Sequence, residues 1–202
     1  MGRPRQLSDE QILDTARACF LAHGPQVATA VIAERLGLSQ AALFKRFGSK
    51  SRLLVAALKP PPVPPWVALL EEGPDNRPIE PQLVELCLAI ARFFDSMVPC
   101  MMMLKASGAR VGEVLGRDEM PPPARGHHAL VSWVRRAQRL GHLGDFPATV
   151  LANALLGAVS QRSFVASLAG PEALHDDLED YVKALVKLLL RGLEPAPVGP
   201  PP

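Results

Sequence analysis

A chain of 202 residues with 48% hydrophobic, 21% charged and 5% aromatic residues is long enough for one or two domains with real cores, and it excludes collagen-like, disulfide-scaffold and wholly disordered classes. The net charge of +2 conceals a division: Met1–Lys59 holds nine Lys or Arg against four Asp or Glu, whereas residues 60–202 hold thirteen against sixteen. A basic head before an acidic body predicts a polyanion-binding module joined to something else.

The chain reads as all-α, because its proline-poor stretches repeat apolar residues near every 3.6 positions and show no alternation with hairpin turns. Ser8 is expected to cap the first helix, with Asp9 and Glu10 in its first turn and Ile12, Ala16 and Phe20 on one apolar face up to Gly24-Pro25. Short helices are expected from about Thr29 to Leu36, from Ser39 to Phe47 and from Ser49 to Lys59. Eight of the 21 prolines fall in residues 60–81, which are read as a non-helical linker.

In the body, Leu83, Leu86, Cys87, Ile90, Phe94 and Met97 recur at helical spacing up to Pro99, which is expected to break or kink the helix before a shorter piece over Cys100–Lys105. Beyond the Pro121–Pro123 stop a helix carries Leu130, Val134 and Ala137. Two long apolar helices follow, one from Asp145-Phe146-Pro147 to about Ala169 and one from near Pro171 through Leu174, Leu178, Val182, Leu185 and Leu189. The predicted organisation is therefore a head over 1–59, a linker over 60–81, a helical body over 82–194 and a disordered proline-rich tail over 195–202.

Cys19, Cys87 and Cys100 are an odd number without CxxC spacing, each inside an apolar stretch, and are expected to be buried free thiols in a reducing compartment. No apolar run follows Arg3 and Arg5 as in a secretory signal, and Ala148–Val159, the longest apolar run of the body, is short for a membrane span. A cytoplasmic protein without a membrane partner is expected.

Ala33 and Gly37, with Leu38-Ser39 directly after, form a pattern with a geometric cause. Two helices crossing steeply through a short turn need a small residue at the contact and a glycine in the turn. Ile32, Leu36, Leu38 and Leu43 supply its apolar side. Ser39 caps the second helix, Gln40 and Ala41 lie at its N-terminal end, where base edges are reached, and Lys45, Arg46, Lys50 and Arg52 follow. This spacing reads as a helix-turn-helix. The stretch from Gln11 to Leu58, with ILDTARACFLAHG and then VIAERLGLSQAALFKRFGSKSRLLVAAL, resembles the DNA-binding domain of the tetracycline-repressor (TetR) family of bacterial regulators.

The resemblance implies a homodimer on a palindromic double-stranded DNA operator, with Ser39, Gln40, Ala41, Phe44 and Lys45 at the major groove and Thr29 and Lys50 on phosphates. Ala28 stands where the family often has Ser or Thr, which leaves the cap of the second helix to Thr29. Phe44 stands where it often has Tyr and cannot donate to phosphate, a loss for which Lys45 and Arg46 compensate. The body's role follows from the family and from composition. Leu155, Ala158, Val159, Leu178, Val182 and Leu185 on the last two helices are expected to form a four-helix dimer interface. Phe93, Phe94, Met97, Met101, Met102, Met103, Trp133 and Phe164 are the candidate lining of a pocket for a small apolar or amphipathic effector.

The adjacent His127 and His128 diverge by about 100° on a helix and have no metal-ligand spacing around them, so no catalytic residue, metal or cofactor is expected. The reading is a dimeric DNA-binding transcriptional regulator, a repressor released from its operator by an apolar ligand. Two rivals stand beside it: a ligand-independent or protein-controlled regulator, and a small helical enzyme acting on a lipid-like substrate.

Overall fold

The computed structural model describes residues 7–115 and 120–191, and among these every regular element is a helix. The expected tail over 195–202 lies outside the described residues. The chain divides into two compact units: a head of residues 1–62 and 96–121, and a body of residues 63–95 and 122–202.

The head is built from α1 (Asp9–His23), α2 (Thr29–Leu36), α3 (Gln40–Phe47) and α4 (Lys50–Leu58). Local chemistry starts α1: the Ser8 hydroxyl accepts from the Gln11 amide at 3.2 Å while the Gln11 side chain accepts from the Ser8 amide at 3.0 Å, a reciprocal capping box. Ile12, Ala16, Cys19 and Phe20 from α1 are fully buried with Ile32, Leu43, Leu53, Ala57 and Leu58. Arg17 ties α1 to α4, its Nε donating to the Ala57 carbonyl at 2.8 Å. That bond satisfies a carbonyl in the last turn of α4, where no intrahelical donor remains.

The body contains α5 (Val67–Glu72), the first part of α6 (Ile79–Ala106), α8 (Pro122–Arg139), α9 (Ala148–Ala169) and α10 (Leu178–Arg191). A short α7 (Val111–Val114) belongs to the head. The last helix begins at Leu178 rather than near Pro171, where only a single 3-10 turn, Pro171–Ala173, forms.

Two readings of proline are corrected. The stretch 60–81 is not a helix-free linker: Val67 and Leu70 of its α5, and Trp66 just before it, are buried in the body core with Leu130, Val134 and Leu151. Nor does Pro99 end a helix, since α6 is continuous for 28 residues with Pro99 inside it. A proline removes one backbone bond and strains the preceding turn. Here both flanks are held by burial, Leu83, Leu86, Cys87, Ile90 and Ala91 in the body core, Cys100 and Leu104 in the head core. The head therefore draws on residues beyond the expected boundary at 59. By length and composition alone α6 is long and apolar enough to cross a membrane.

All three cysteines are buried and free. Burial pushes the Cys87 thiol up to about 12 and raises that of Cys100, which keeps both protonated.

Gly126 of α8 faces the indole of Trp66 so closely that an added Cβ would lie 2.6 Å from its Cη2. Trp66 is 5% exposed, and its rigid ring has little room to retreat. Gly126→Ala gains about 1 kcal/mol of helix propensity and meets an overpacking penalty of about 1–3 kcal/mol. The expected result is a net loss of about 1 kcal/mol, read as a lower urea midpoint; a midpoint above the wild-type value would show that the indole yields.

Candidate nucleic-acid interface

The turn between α2 and α3 is set by backbone chemistry. Gly37 takes a left-handed conformation at φ +64°, and two bonds close the end of α2, from the Leu38 amide to the Ala33 carbonyl at 2.9 Å and from the Gly37 amide to the Glu34 carbonyl at 3.0 Å. This paired arrangement favours a glycine because other residues resist positive φ. Ser39 then opens α3, its hydroxyl accepting from the Ala42 amide at 3.1 Å.

α3 presents two faces. Leu43 is buried and Phe47 half-buried against the head core, while Gln40, Ala41, Phe44 and Lys45 are exposed together on the opposite side. Phe44 is 37% exposed, an unusual position for so large an apolar ring. α3 contains no acidic residue, and its last turn carries Lys45 and Arg46, where cations also suit the helix dipole. The amides of Gln40 and Ala41 sit in the first turn, where no intrahelical acceptor exists.

The remaining expected contact residues fall less uniformly. Lys50 is half-buried as the first residue of α4, behind the Ser49 cap. Arg46 is turned back onto α1: its Nε lies 3.2 Å from Asp9 and its Nη1 donates to the Leu7 carbonyl at 2.7 Å. It braces the head as much as it offers charge. Thr29 is corrected in its role. It is the first helical residue of α2, not the cap; the capping position is Ala28, whose side chain can accept nothing.

The comparisons with known proteins agree with this geometry. Residues 12–57 match the family model described as bacterial regulatory proteins, tetR family. The chain is 27% identical over 191 residues, 89% of its own length and 95% of the relative's, to the HTH-type transcriptional repressor BdcR of Escherichia coli strain K12. The chain is thus similar to tetR-family regulators in its first four helices and, over most of its length, to a transcriptional repressor. The fold agrees as well. The tetR-family regulator PfmR from Thermus thermophilus superposes with a TM-score of 0.64 at 24% identity, covering 92% of this chain and all of that one. A TetR/AcrR-family regulator from Thermobifida fusca does so at 0.54 and 20% identity, covering 92% and 98%.

The expected pocket residues divide between the two units. Met97, Met101 and Met103 pack on the head core, and Met102 is half-buried in the same stretch of α6. Phe93 and Phe94 meet edge-on at 5.8 Å beside the body core, Trp133 is buried within it, and Phe164 is 46% exposed. Two cavities of the body are lined by other residues. The expected dimer set divides similarly: Leu155, Val159 and Val182 are buried in the chain's own core, and Ala158, Leu178 and Leu185 are half-buried. Helices apolar around most of their circumference hid which side turns inward.

The uncapped start of α2 gives a direct test. Ala28→Ser supplies the missing acceptor and is expected to stabilise the protein by about 1 kcal/mol. The readout is the urea midpoint; no gain would mean that the α2 amides are satisfied in another way.

Proposed function

We propose that the chain is a homodimeric repressor that reads a palindromic operator with α3 and leaves it when a small apolar molecule binds the body. The observation that carries the DNA reading is the outer face of α3. Gln40, Ala41, Phe44 and Lys45 are exposed together on a helix fixed from behind by Leu43. A helix so mounted fits the major groove, with Lys45 on phosphate and Gln40 at base edges. Lys50 and the first-turn amides add phosphate contacts, and such a protein acts in the cytoplasm, where the DNA is.

The dimer reading is supported by surface the chain leaves uncovered. Val150, Phe164 and Leu168 on α9 are 62%, 46% and 60% exposed, and Leu188 on α10 is 42% exposed. Positions 150, 157, 164 and 168 share one face of α9. Gly157 lies among them, and a Cβ there would meet nothing within 4 Å. A mid-helix glycine costs about 1 kcal/mol, and here no contact within the chain requires it. A second copy packed closely on this face would. These exposed residues, not the buried Leu155, Val159 and Val182, are the interface.

For the effector, the support is an apolar cavity of about 590 Å³ lined by Leu143, Phe146, Val150, Leu151 and Leu190 among others. A ligand that binds one body conformation better shifts the population away from the DNA-competent state.

Two experiments test this reading. With an operator obtained by selection from random DNA, Lys45→Ala is expected to weaken binding and to reduce the salt slope by about 0.9. Gln40→Ala is expected to lower discrimination more than affinity, and unchanged affinity in a Lys45→Ala/Lys50→Ala protein would overturn the recognition-helix reading. Separately, Phe164→Glu with Leu168→Glu is expected to convert a dimer into a helical monomer, as seen by light scattering and circular dichroism. Wild-type protein that is monomeric at micromolar concentration would remove the interface.

A further inference from the structure

α8 is an electrostatic exception. In a region with more acidic than basic residues, Pro122–Arg139 carries Arg125, Arg135, Arg136, Arg139, His127 and His128 and not one Asp or Glu. Cations in a last helical turn suit the dipole, but the dipole equally favours acids in the first turn, and α8 has none. Its inner face is apolar, with Leu130, Val131, Trp133, Val134 and Ala137 buried. Its outer face gathers Ser132, Arg135, Arg136 and Arg139 at helical spacing.

These four side chains, with Ala129 and Leu70 of α5, line a cavity of about 450 Å³. Glu71 stands at it too and offsets one positive charge. Arg136 is fixed: its guanidinium donates to the Leu70 and Glu71 carbonyls at the end of α5, and its Nε is buried without a partner. Arg135 and Arg139 are exposed, and neither has an ion pair among the described residues. Three guanidinium groups within five residues repel one another, and a bound anion relieves that repulsion.

We propose that this cavity between α5 and α8 binds a small organic anion, an aryl or acyl carboxylate or phosphate, with its apolar part on Ala129 and its charge on Arg135 and Arg139. Guanidinium groups suit both anions because their paired N–H donors match two oxygens at once. The volume is that of an ordinary small-molecule site. The assignment goes beyond the repressor reading and stands whether or not the occupant alters DNA binding. The site shares no lining residue with the apolar cavity near Phe146.

Calorimetric titration of the full chain tests it, using 2-naphthoate, 2-naphthyl phosphate, the neutral 2-naphthalenemethanol and inorganic phosphate. The naphthoate or the naphthyl phosphate is expected to bind at least tenfold more tightly than the alcohol and than inorganic phosphate, and the stronger of the two names the preferred head group. Arg135→Gln with Arg139→Gln, both exposed positions, is expected to lose at least tenfold in that binding while circular dichroism and operator affinity without probe stay at wild-type values. Equal binding of alcohol and anions, equal binding of inorganic phosphate and the aryl anions, or undiminished binding in the double variant would overturn the assignment.

Discussion

Leu43 is the constraint on which the outer face of α3 depends. An eight-residue helix is marginal by itself, and α3 has only this one fully buried side chain. Its burial with Phe20, Ile32 and Leu53 sets the rotation of α3, and from that rotation it follows which residues face outward. The other restraints refine the position: Ser39 fixes where the helix starts, Gly37 the direction from which the chain enters, and Arg46 the distance from the first turn of α1. A polar residue at 43 would remove the anchor without touching any of the outward residues.

The body solves a different problem, that of backbone groups stranded where helices end. Gln82, 4% exposed, accepts from the Asp75 amide at 3.0 Å and donates to the Arg77 carbonyl at 2.7 Å, which fastens the turn before α6. Arg77 lies between Asp75 at 2.9 Å and Glu85 at 2.7 Å on the outside of the same turn. Hydrogen bonds from the Arg77 amide and guanidinium hold the Asp75 carboxyl below its usual range, and the guanidinium does the same for Glu85. Gln138 reaches the Gly144 and Phe146 carbonyls after α8, and Arg136 those of α5. Long polar side chains thus do inside the body what short caps do in the head.

The head was readable because its determinants are local. Ser8, Gly24, Gly37, Ser39 and Gly48 each act within a few residues of themselves, and the structure uses all five as helix boundaries. The body was readable in its helix count near α8 and α9 and misread where burial overruled a local signal, at Trp66–Leu70 and at Pro99. The orientation of the pocket and dimer residues was illegible for a further reason. Which face of an apolar helix is inward depends on partners far away in sequence, and nothing within α9 itself separates Leu155 from Phe164. The arginines of α8 were in plain view, yet their meaning depended on α5, whose existence the prolines concealed.

The placement of aromatic residues gives the molecule a built-in optical division. Trp66 and Trp133, the two tryptophans of the chain, are both buried in the body, and its single tyrosine, Tyr181, lies there as well. The head is lit only by phenylalanine, which absorbs and emits weakly. Tryptophan emission therefore follows the body alone, while helical ellipticity sums both units. Where the two signals part during denaturation, their separation measures how far the head can melt before the body gives way.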